Sequence, residues 1–185
     1  MKTLNLTSSD LKNCVHAIIR QMNKDNFKPD YIVGITRGGL TPAKMISHYL
    51  NIPMYTLDVS LRDSSMGPET NCWMAEDAFG YLTEEVQRLL KSRWDPTQRK
   101  KILIVDDIND SGATFNWIKK DWQSSCLPKE KSVWEAIWNH TTRFAVVINN
   151  EHSEFQDVSY SGMTINKFED PHLWVTFPWE NWWEN

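Results

Sequence analysis

The sequence lacks the features that mark nucleic-acid-binding, disulfide-rich and membrane-spanning proteins. Its formal net charge is −4 and its basic clusters are two short runs, at 99–101 and 119–120, whereas binding to a nucleic-acid backbone requires clustered Lys and Arg. The chain has three cysteines and no CxxC pair, which argues against a disulfide framework or a zinc knuckle. No apolar run approaches the roughly 18 residues of a membrane span. We therefore expect a cytoplasmic protein with neither nucleic-acid nor membrane partners.

Glycine is scarce and tryptophan is abundant. The 185 residues include seven Gly and ten Trp, and eight of the ten Trp lie at or after Trp117. The glycine-dependent nucleotide-binding motifs GxGxxG and GxxxxGK[ST] are absent, as is the GxSxG motif of serine hydrolases, so the sequence supports none of these three classes. Four of the seven glycines lie in or beside two candidate ligand-binding segments, at 34, 38, 39 and 112.

The spacing of apolar residues predicts strands alternating with helices. Helices are expected at 8–24 (capped by Ser8, Ser9 or Asp10), 42–50, 76–92 and 112–122, with a less regular helix and loop at 124–141. Strands are expected at 31–35, 54–61, 101–106, 144–148 and 173–177, with a further candidate at 158–160. This alternation is typical of an α/β fold with a mostly parallel sheet flanked by helices. The length suits a single domain spanning 1–185.

Three carboxylates stand together at the end of the most apolar strand. This strand ends at Asp106 and is followed directly by Asp107, and Asp110 precedes the Ser-Gly-Ala-Thr turn, at 111–114, that opens a helix. Ligands of open parallel sheets bind beyond the carboxyl ends of the strands, and the N–H groups and hydroxyls of this turn can bind a phosphate. Three acids would repel a bare phosphate, so we expect them to face ribose hydroxyls and a divalent cation. Helix capping is the alternative, but it requires fewer acids.

Three segments resemble those of a known family. VDDINDSGAT, at 105–114, resembles the ribose-phosphate-binding signature of type I phosphoribosyltransferases, whose substrate is phosphoribosyl pyrophosphate (PRPP). ITRGGLTPA, at 35–43, follows the first strand as does that family's pyrophosphate-binding loop, and LWVTFPWE, at 173–180, is similar to the end of xanthine/guanine-type purine enzymes. The matches occur in the family's order. They imply a type I phosphoribosyltransferase fold with a small C-terminal hood, at about 150–185, that binds the base.

The resemblance implies a set of ligand contacts in this sequence. Asp106 and Asp107 would bind the ribose hydroxyls, and Asp107 would reach Mg²⁺, the implied cofactor. Asp110 would be the catalytic group that faces the base nitrogen whose proton moves. Arg37 and Gly38 would bind the pyrophosphate. The residues implied to bind the 5′-phosphate are Asp110, Ser111, Gly112, Ala113 and Thr114.

The segment at 62–75 is polar and has neither a helical nor a strand period. A segment of this length inside a compact domain is typically a functional lid or is disordered, and the resemblance implies a mobile lid over the reacting ribose. The family's lid usually begins with a Ser-Tyr pair, whereas this chain has Ser60-Leu61. Arg62 follows as a candidate lid ligand of the pyrophosphate, with a plain surface position as the alternative.

The implied base-binding residues depart from the family pattern. Purine enzymes place a lysine at the end of the strand after the phosphate-binding helix, where this chain has Asn149 and Asn150. Asn150 can donate to a carbonyl oxygen or accept from an amine, so hypoxanthine, guanine, xanthine and a non-purine base all stay open. By its position in the tail, Trp174 would stack on the base and Val175 would contact it. A tryptophan in a strand is, however, more often part of the core.

The implied function is Mg²⁺-dependent transfer of the 5-phosphoribosyl group from PRPP to a free nucleobase, giving a nucleoside 5′-monophosphate and pyrophosphate. A 6-oxopurine of purine salvage is the expected base. The alternatives are a non-catalytic regulator that binds PRPP or a nucleotide, and a phosphoribosyltransferase for a different base. The acidic residues and the long lid favour the enzyme, since a sensor needs no lid. By analogy with the family we expect a homo-oligomer, either a dimer or a tetramer.

Overall fold

The computed structural model of the protein describes residues 2–59, 71–80, 99–126, 134–180 and 182–184. In chain order its elements are β1 (Thr3–Asn5), α1 (Ser8–Lys24), β2 (Tyr31–Thr36), α2 (Leu40–Leu50), β3 (Met54–Asp58), α3 (Cys72–Phe79), β4 (Ile102–Asn109), α4 (Ala113–Ser125), β5 (Thr142–Asn150), β6 (Tyr160–Ile165), β7 (Trp174–Thr176) and a 3₁₀ helix (Trp182–Glu184). Within the described ranges, every helix is too short or too polar to cross a membrane.

Five of the strands form a parallel sheet in the order β3-β2-β4-β5-β6. This arrangement confirms the predicted α/β fold. The central strands are apolar along most of their length, as expected for strands that are covered by helices on both faces. A separate pair joins β1 to β7 in parallel, so that Leu4 lies opposite Val175 and the N-terminal strand holds the C-terminal segment.

Each face of the sheet has its own core, because successive residues of a strand point to opposite faces. The face that carries α1 and α2 is aliphatic, and the sheet contributes Ile32, Leu103, Val105, Ala145 and Val147 to it. The face that carries α3 and α4 is aromatic, with Phe115, Trp122, Trp134, Trp138, Phe144 and Phe155 in one cluster. Three of the tryptophans are therefore structural, since Trp122 and Trp134 have no exposed surface and Trp138 is 6% exposed.

Two neighbouring strands, β2 and β4, connect to helices on opposite faces of the sheet. β2 leads into α2 on the aliphatic face, whereas β4 leads into α4 on the aromatic face. Connections that diverge to opposite faces leave a crevice between them at the carboxyl ends of the strands, where ligands of open α/β sheets bind. The segments 37–39 and 110–112 lie at this crevice.

The first helix has the predicted bounds but a different cap. Its N-cap is Thr7, whose hydroxyl accepts a hydrogen bond from the Asp10 N–H at 3.1 Å. The Asp10 carboxylate accepts one from the Thr7 N–H at 2.8 Å, which completes a capping box. The predicted caps Ser8, Ser9 and Asp10 are wrong, because they occupy the first turn and Asp10 supplies the reciprocal bond of the box.

The boundary predicted between the lid and the next helix is also wrong. α3 begins at Cys72, so residues 72–75, expected to be irregular, form its first turn. The helix ends at Phe79, where Gly80 has φ 102°. The spacing of its apolar residues explains the helix, because Met74, Ala75 and Ala78 lie on one side of it and are buried on the aromatic face of the sheet. Residues 62–70 of the predicted lid, including Arg62, and the predicted helix from 81 to 92 lie outside the described residues.

Candidate active site

The loop between β2 and α2 packs directly against the acidic end of β4. A Cβ placed on Gly38 would overlap the Asp107 carboxylate, so glycine is required for the two segments to approach this closely. Arg37 precedes Gly38 and its side chain is exposed. The Thr36–Arg37 peptide bond is cis. The structure therefore brings the two predicted ligand segments together, with an exposed guanidinium beside them.

Asp106 and Asp107 lie inside β4, which continues to Asn109. Asp106 is 8% exposed, and its Oδ1 accepts a hydrogen bond from the Asp107 N–H at 2.9 Å. Burial raises the pKa of Asp106, and the adjacent Asp107 charge raises it further. Burial also raises the pKa of Asp107 to about 6, to which repulsion by Glu180 contributes. A bound cation or hydroxyl donor would favour the ionised form of both carboxyls.

The turn after β4 packs against residues 154–155 on one side and is exposed to solvent on the other. Gly112 has φ 86°, and a Cβ there would overlap the backbone of Phe155. The Ser111 carbonyl accepts a hydrogen bond from the Glu154 N–H at 3.0 Å. Ser111 and Ala113 are exposed at the N-terminus of α4. A helix N-terminus with exposed N–H groups is suited to bind a phosphate.

Asp110 forms an ion pair that the sequence did not predict. The Lys167 Nζ lies 2.8 Å from the Asp110 Oδ2, and the two side chains are 19% and 41% exposed, respectively. Lys167 follows β6, two strands away from β4 in the sheet. Because the strands are parallel, the residues that follow β4 and β6 emerge at the same edge of the sheet. The pair sets a cation beside the carboxylate that was predicted to be catalytic.

Asn150 joins the two segments that carry this pair. It ends β5, between β4 and β6, and is 6% exposed. Its Nδ2 donates to the Asp110 carbonyl at 3.0 Å. Its Oδ1 accepts from the Lys167 N–H at 3.2 Å and from the His152 N–H at 3.3 Å. The structure thus gives Asn150 a positioning contact on each side, and its contact with a base stays a prediction.

The predicted base-contacting residues of the tail lie in β7. The Trp174 side chain is 53% exposed, so its ring has a free surface on which a flat ligand can stack. Val175 is buried in the aliphatic core, which leaves its backbone as the group that a base could contact. Farther along the tail, repulsion by Glu180 contributes to the raised pKa of Asp107.

The donor set fits Mg²⁺ bound together with a phosphate ligand. In the ranges that the structure describes, no group of three or more His, Cys, Asp or Glu side chains is arranged to hold a metal ion. Mg²⁺ is usually held by one or two carboxylates plus substrate phosphates and water rather than by an all-protein cage. Asp106 and Asp107 supply two such carboxylates, and burial raises the pKa of each, which a bound cation would offset.

Comparisons with known proteins agree with this geometry. The family model described as "Phosphoribosyl transferase domain" matches residues 7–179. Xanthine phosphoribosyltransferase 1 of Saccharomyces cerevisiae is 25% identical over 187 residues, covering 91% of this chain and 87% of that protein. Hypoxanthine-guanine phosphoribosyltransferase of Schizosaccharomyces pombe is 22% identical, with coverages of 91% and 86%. A solved purine phosphoribosyltransferase from Pyrococcus horikoshii has a TM-score of 0.62 at 21% identity, covering 98% of this chain and 96% of that one, and so shares its fold.

Proposed function

This chain belongs to the phosphoribosyl transferase family, and from that premise we propose that it is a Mg²⁺-dependent enzyme of purine salvage. It transfers the 5-phosphoribosyl group from PRPP to a 6-oxopurine and releases pyrophosphate. The observation that carries the proposal is the packing of Gly38 against Asp107, because it joins the two PRPP segments in one crevice. The curated relatives are named for xanthine, hypoxanthine and guanine, which all have an oxygen at C6.

PRPP lies along the crevice in this proposal. Its 5′-phosphate binds the turn from Asp110 to Thr114 through backbone N–H groups and hydroxyls, at the N-terminus of α4. Its ribose hydroxyls face Asp106 and Asp107. Its pyrophosphate lies against Gly38 and Arg37, whose guanidinium is exposed at that end. The site then has hydrogen-bond donors for the 5′-phosphate and for the pyrophosphate, and carboxylates for the ribose hydroxyls.

The reaction breaks the bond between C1′ and the pyrophosphate oxygen while a base nitrogen bonds to C1′. Positive charge develops on the ribose and negative charge on the leaving pyrophosphate. The carboxylates of Asp106 and Asp107 stabilise the first charge, and Arg37 stabilises the second. Asp110 accepts the proton that the base loses. Mg²⁺, when bound by Asp107, supplies further neutralisation of the diphosphate.

The test is turnover with a matched pair of variants. Asp110→Asn keeps the shape of the side chain but removes its capacity to accept a proton, so we expect kcat to fall by about 10²- to 10⁴-fold while PRPP binding is retained. The control is Asp157→Asn, because Asp157 forms an ion pair with Lys119 at 2.7 Å, similar to the 2.8 Å of the Asp110–Lys167 pair. The rate of pyrophosphate release measures kcat, and calorimetry measures the affinity for PRPP.

Three outcomes would contradict the enzyme class, the base or the catalytic residue of this proposal, respectively. A wild-type protein that binds PRPP but releases no pyrophosphate with any base would be a regulator. Turnover only with a base that lacks the C6 oxygen would keep the enzyme class and change the substrate. An Asp110→Asn variant as active as the wild type would remove Asp110 from the catalytic role.

The same proposal includes a lid with Arg62 as a pyrophosphate ligand, now limited to about 62–71 because α3 begins at Cys72. It also includes a base-binding hood at about 150–185, a single domain, and a homo-oligomer in the cytoplasm. An exposed aromatic surface in the tail supports the oligomer, since Trp182 and Trp183 are 68% and 64% exposed and exposed aromatic patches favour interfaces. Sedimentation of the wild type and of a Trp182→Ala/Trp183→Ala variant tests it. A monomeric wild type would contradict it.

A further inference from the structure

We propose that Lys167 determines which base this enzyme accepts, by donating a hydrogen bond to a carbonyl oxygen adjacent to the nitrogen that faces Asp110. The inference rests on the proposed function, because it assumes that Asp110 faces the base. It concerns a residue outside the sequence motifs. The observation behind it is the juxtaposition of the Lys167 ammonium and the Asp110 carboxylate, 2.8 Å apart, at the carboxyl edge of the sheet.

The position of Lys167 is set by backbone contacts rather than by its own flexible side chain. Its N–H donates to the Asn150 Oδ1 at 3.2 Å, and the same Asn150 amide donates to the Asp110 carbonyl at 3.0 Å. The turn that follows is held by Asn166, whose Oδ1 accepts hydrogen bonds from the N–H groups of Phe168 and Glu169. The ammonium is therefore directed at Asp110 from a fixed backbone, which is what a specificity-determining group requires.

The two members of the pair differ in exposure. The Lys167 side chain is 19% exposed, whereas the Asp110 side chain is 41% exposed. The carboxylate thus retains a solvent-accessible side while the ammonium stays beside it. A ligand that approaches Asp110 from this side meets both groups.

The two groups are complementary to one edge of a base. A carboxylate only accepts hydrogen bonds and an ammonium only donates them. Together they fit a ring N–H and a carbonyl oxygen that lie side by side on one edge, as the N7–H and the C6 oxygen of a 6-oxopurine do. An amino group at C6 would direct its own hydrogens at the ammonium, and two donors cannot satisfy each other. The pair therefore favours hypoxanthine over adenine.

The experiment compares kcat/KM for hypoxanthine and adenine in the wild type and in Lys167→Met. The variant keeps the side-chain length and loses the charge, so we expect the hypoxanthine value to fall by about 10- to 100-fold and the hypoxanthine-to-adenine ratio to fall at least about tenfold. KM for PRPP should be unchanged. If Lys167 has a merely structural role, kcat/KM falls equally for both bases and the hypoxanthine-to-adenine ratio stays unchanged. That result would overturn the inference. Lys167→Arg, which keeps a cationic donor, should restore part of the preference.

Lys119→Met is the matched control, since Lys119 has a similar exposure of 23% and pairs with Asp157. It should leave the base ratio unchanged, and an equal change in both variants would overturn the inference. If Lys167→Met does not fold, Lys167→Gln replaces it, because a neutral amide can accept as well as donate and should equally reduce the preference.

A binding measurement separates this inference from the proposed function. Absence of turnover in the wild type would contradict the enzyme but not the site. Calorimetry with inosine and adenosine 5′-monophosphates then decides about Lys167. The inference is supported if the wild type binds the 6-oxo nucleotide more tightly and this difference in affinity is lost in Lys167→Met. Equal binding of the two nucleotides by the wild type overturns it.

Discussion

The two halves of the proposed site are built in different ways. The PRPP half consists of two continuous segments, 37–38 and 106–114, which meet where the Gly38 backbone packs against the Asp107 carboxylate. The base half consists of Asn150, Lys167 and Trp174, which come from β5, the turn after β6, and β7. The first half presents mostly N–H groups and carboxylates to a substrate that every base shares. The second presents separate side chains, so base choice can change without disturbing the PRPP half.

The largest expected effect comes from a substitution that breaks the PRPP half. In Gly38→Ala the added methyl group overlaps the Asp107 carboxylate, so either the pyrophosphate loop or the carboxylate has to move. A displacement of about 1 Å costs about 100-fold in catalysis, and we expect that loss in kcat/KM for PRPP with every accepted base. Steady-state kinetics with several bases measures it.

The relative rates with different bases provide a second test of the Gly38→Ala prediction. Because Gly38 is assigned to the half that all bases share, the relative rates for hypoxanthine, guanine and xanthine should not change. A variant that loses activity with one base only would contradict the division. Thermal unfolding verifies that the variant is folded.

A smaller effect is expected from a substitution in the base half. Trp174→Ala removes an exposed ring on which the base is proposed to stack, and stacking of a base on an aromatic ring contributes about 1–3 kcal/mol. We expect KM for the base to rise about tenfold, with KM for PRPP unchanged. Tyr49→Ala is the control, since Tyr49 is also exposed but is assigned neither to the site nor to the oligomer interface. Equal KM values in both variants would exclude stacking on Trp174.

The smallest expected effect is a pH dependence of PRPP binding. The pKa of Asp107 is raised to about 6 by burial and by repulsion from Glu180, so this carboxyl becomes protonated as the pH falls below that value. Only the ionised form binds a cation, so the affinity for PRPP in Mg²⁺ should fall about fourfold from pH 7.5 to 5.5. PRPP phosphates titrate in the same range, so the comparison is with Asp107→Asn. A pH dependence of equal size in that variant would contradict the assignment.

The sequence predicted the PRPP half because its residues are close in the chain. The acids at 106, 107 and 110 and the turn after them form one continuous segment that follows an apolar strand, and the order of strands and helices indicated the parallel sheet. What it could not predict was the steric requirement at Gly38, because that depends on contact with a different strand. Sequence reasoning located the loop, and the structure supplied the reason for the glycine.

The base half was predicted less well because its members are distant in the chain. Lys167 reaches Asp110 across a separation of 57 residues, through the pairing of β5 with β6, and the predicted strand at 158–160 was too short to place it at the sheet edge. One signal was available, since a lysine soon after a strand lies at the same edge as other strand ends when the sheet is parallel. The cap of α1 was missed for a local reason, because Thr7 and Asp10 act as a pair.

The division of the site is tested most directly by the products of a competition. Wild type, Gly38→Ala and Lys167→Met each receive limiting PRPP, Mg²⁺, and equal concentrations of hypoxanthine and adenine, and the two nucleotides are separated and quantified. We predict that the wild type forms mainly the 6-oxo nucleotide, that Gly38→Ala forms far less product in the same ratio, and that Lys167→Met shifts the ratio towards adenine. A ratio that changes in Gly38→Ala, or that stays constant in Lys167→Met, would contradict the account.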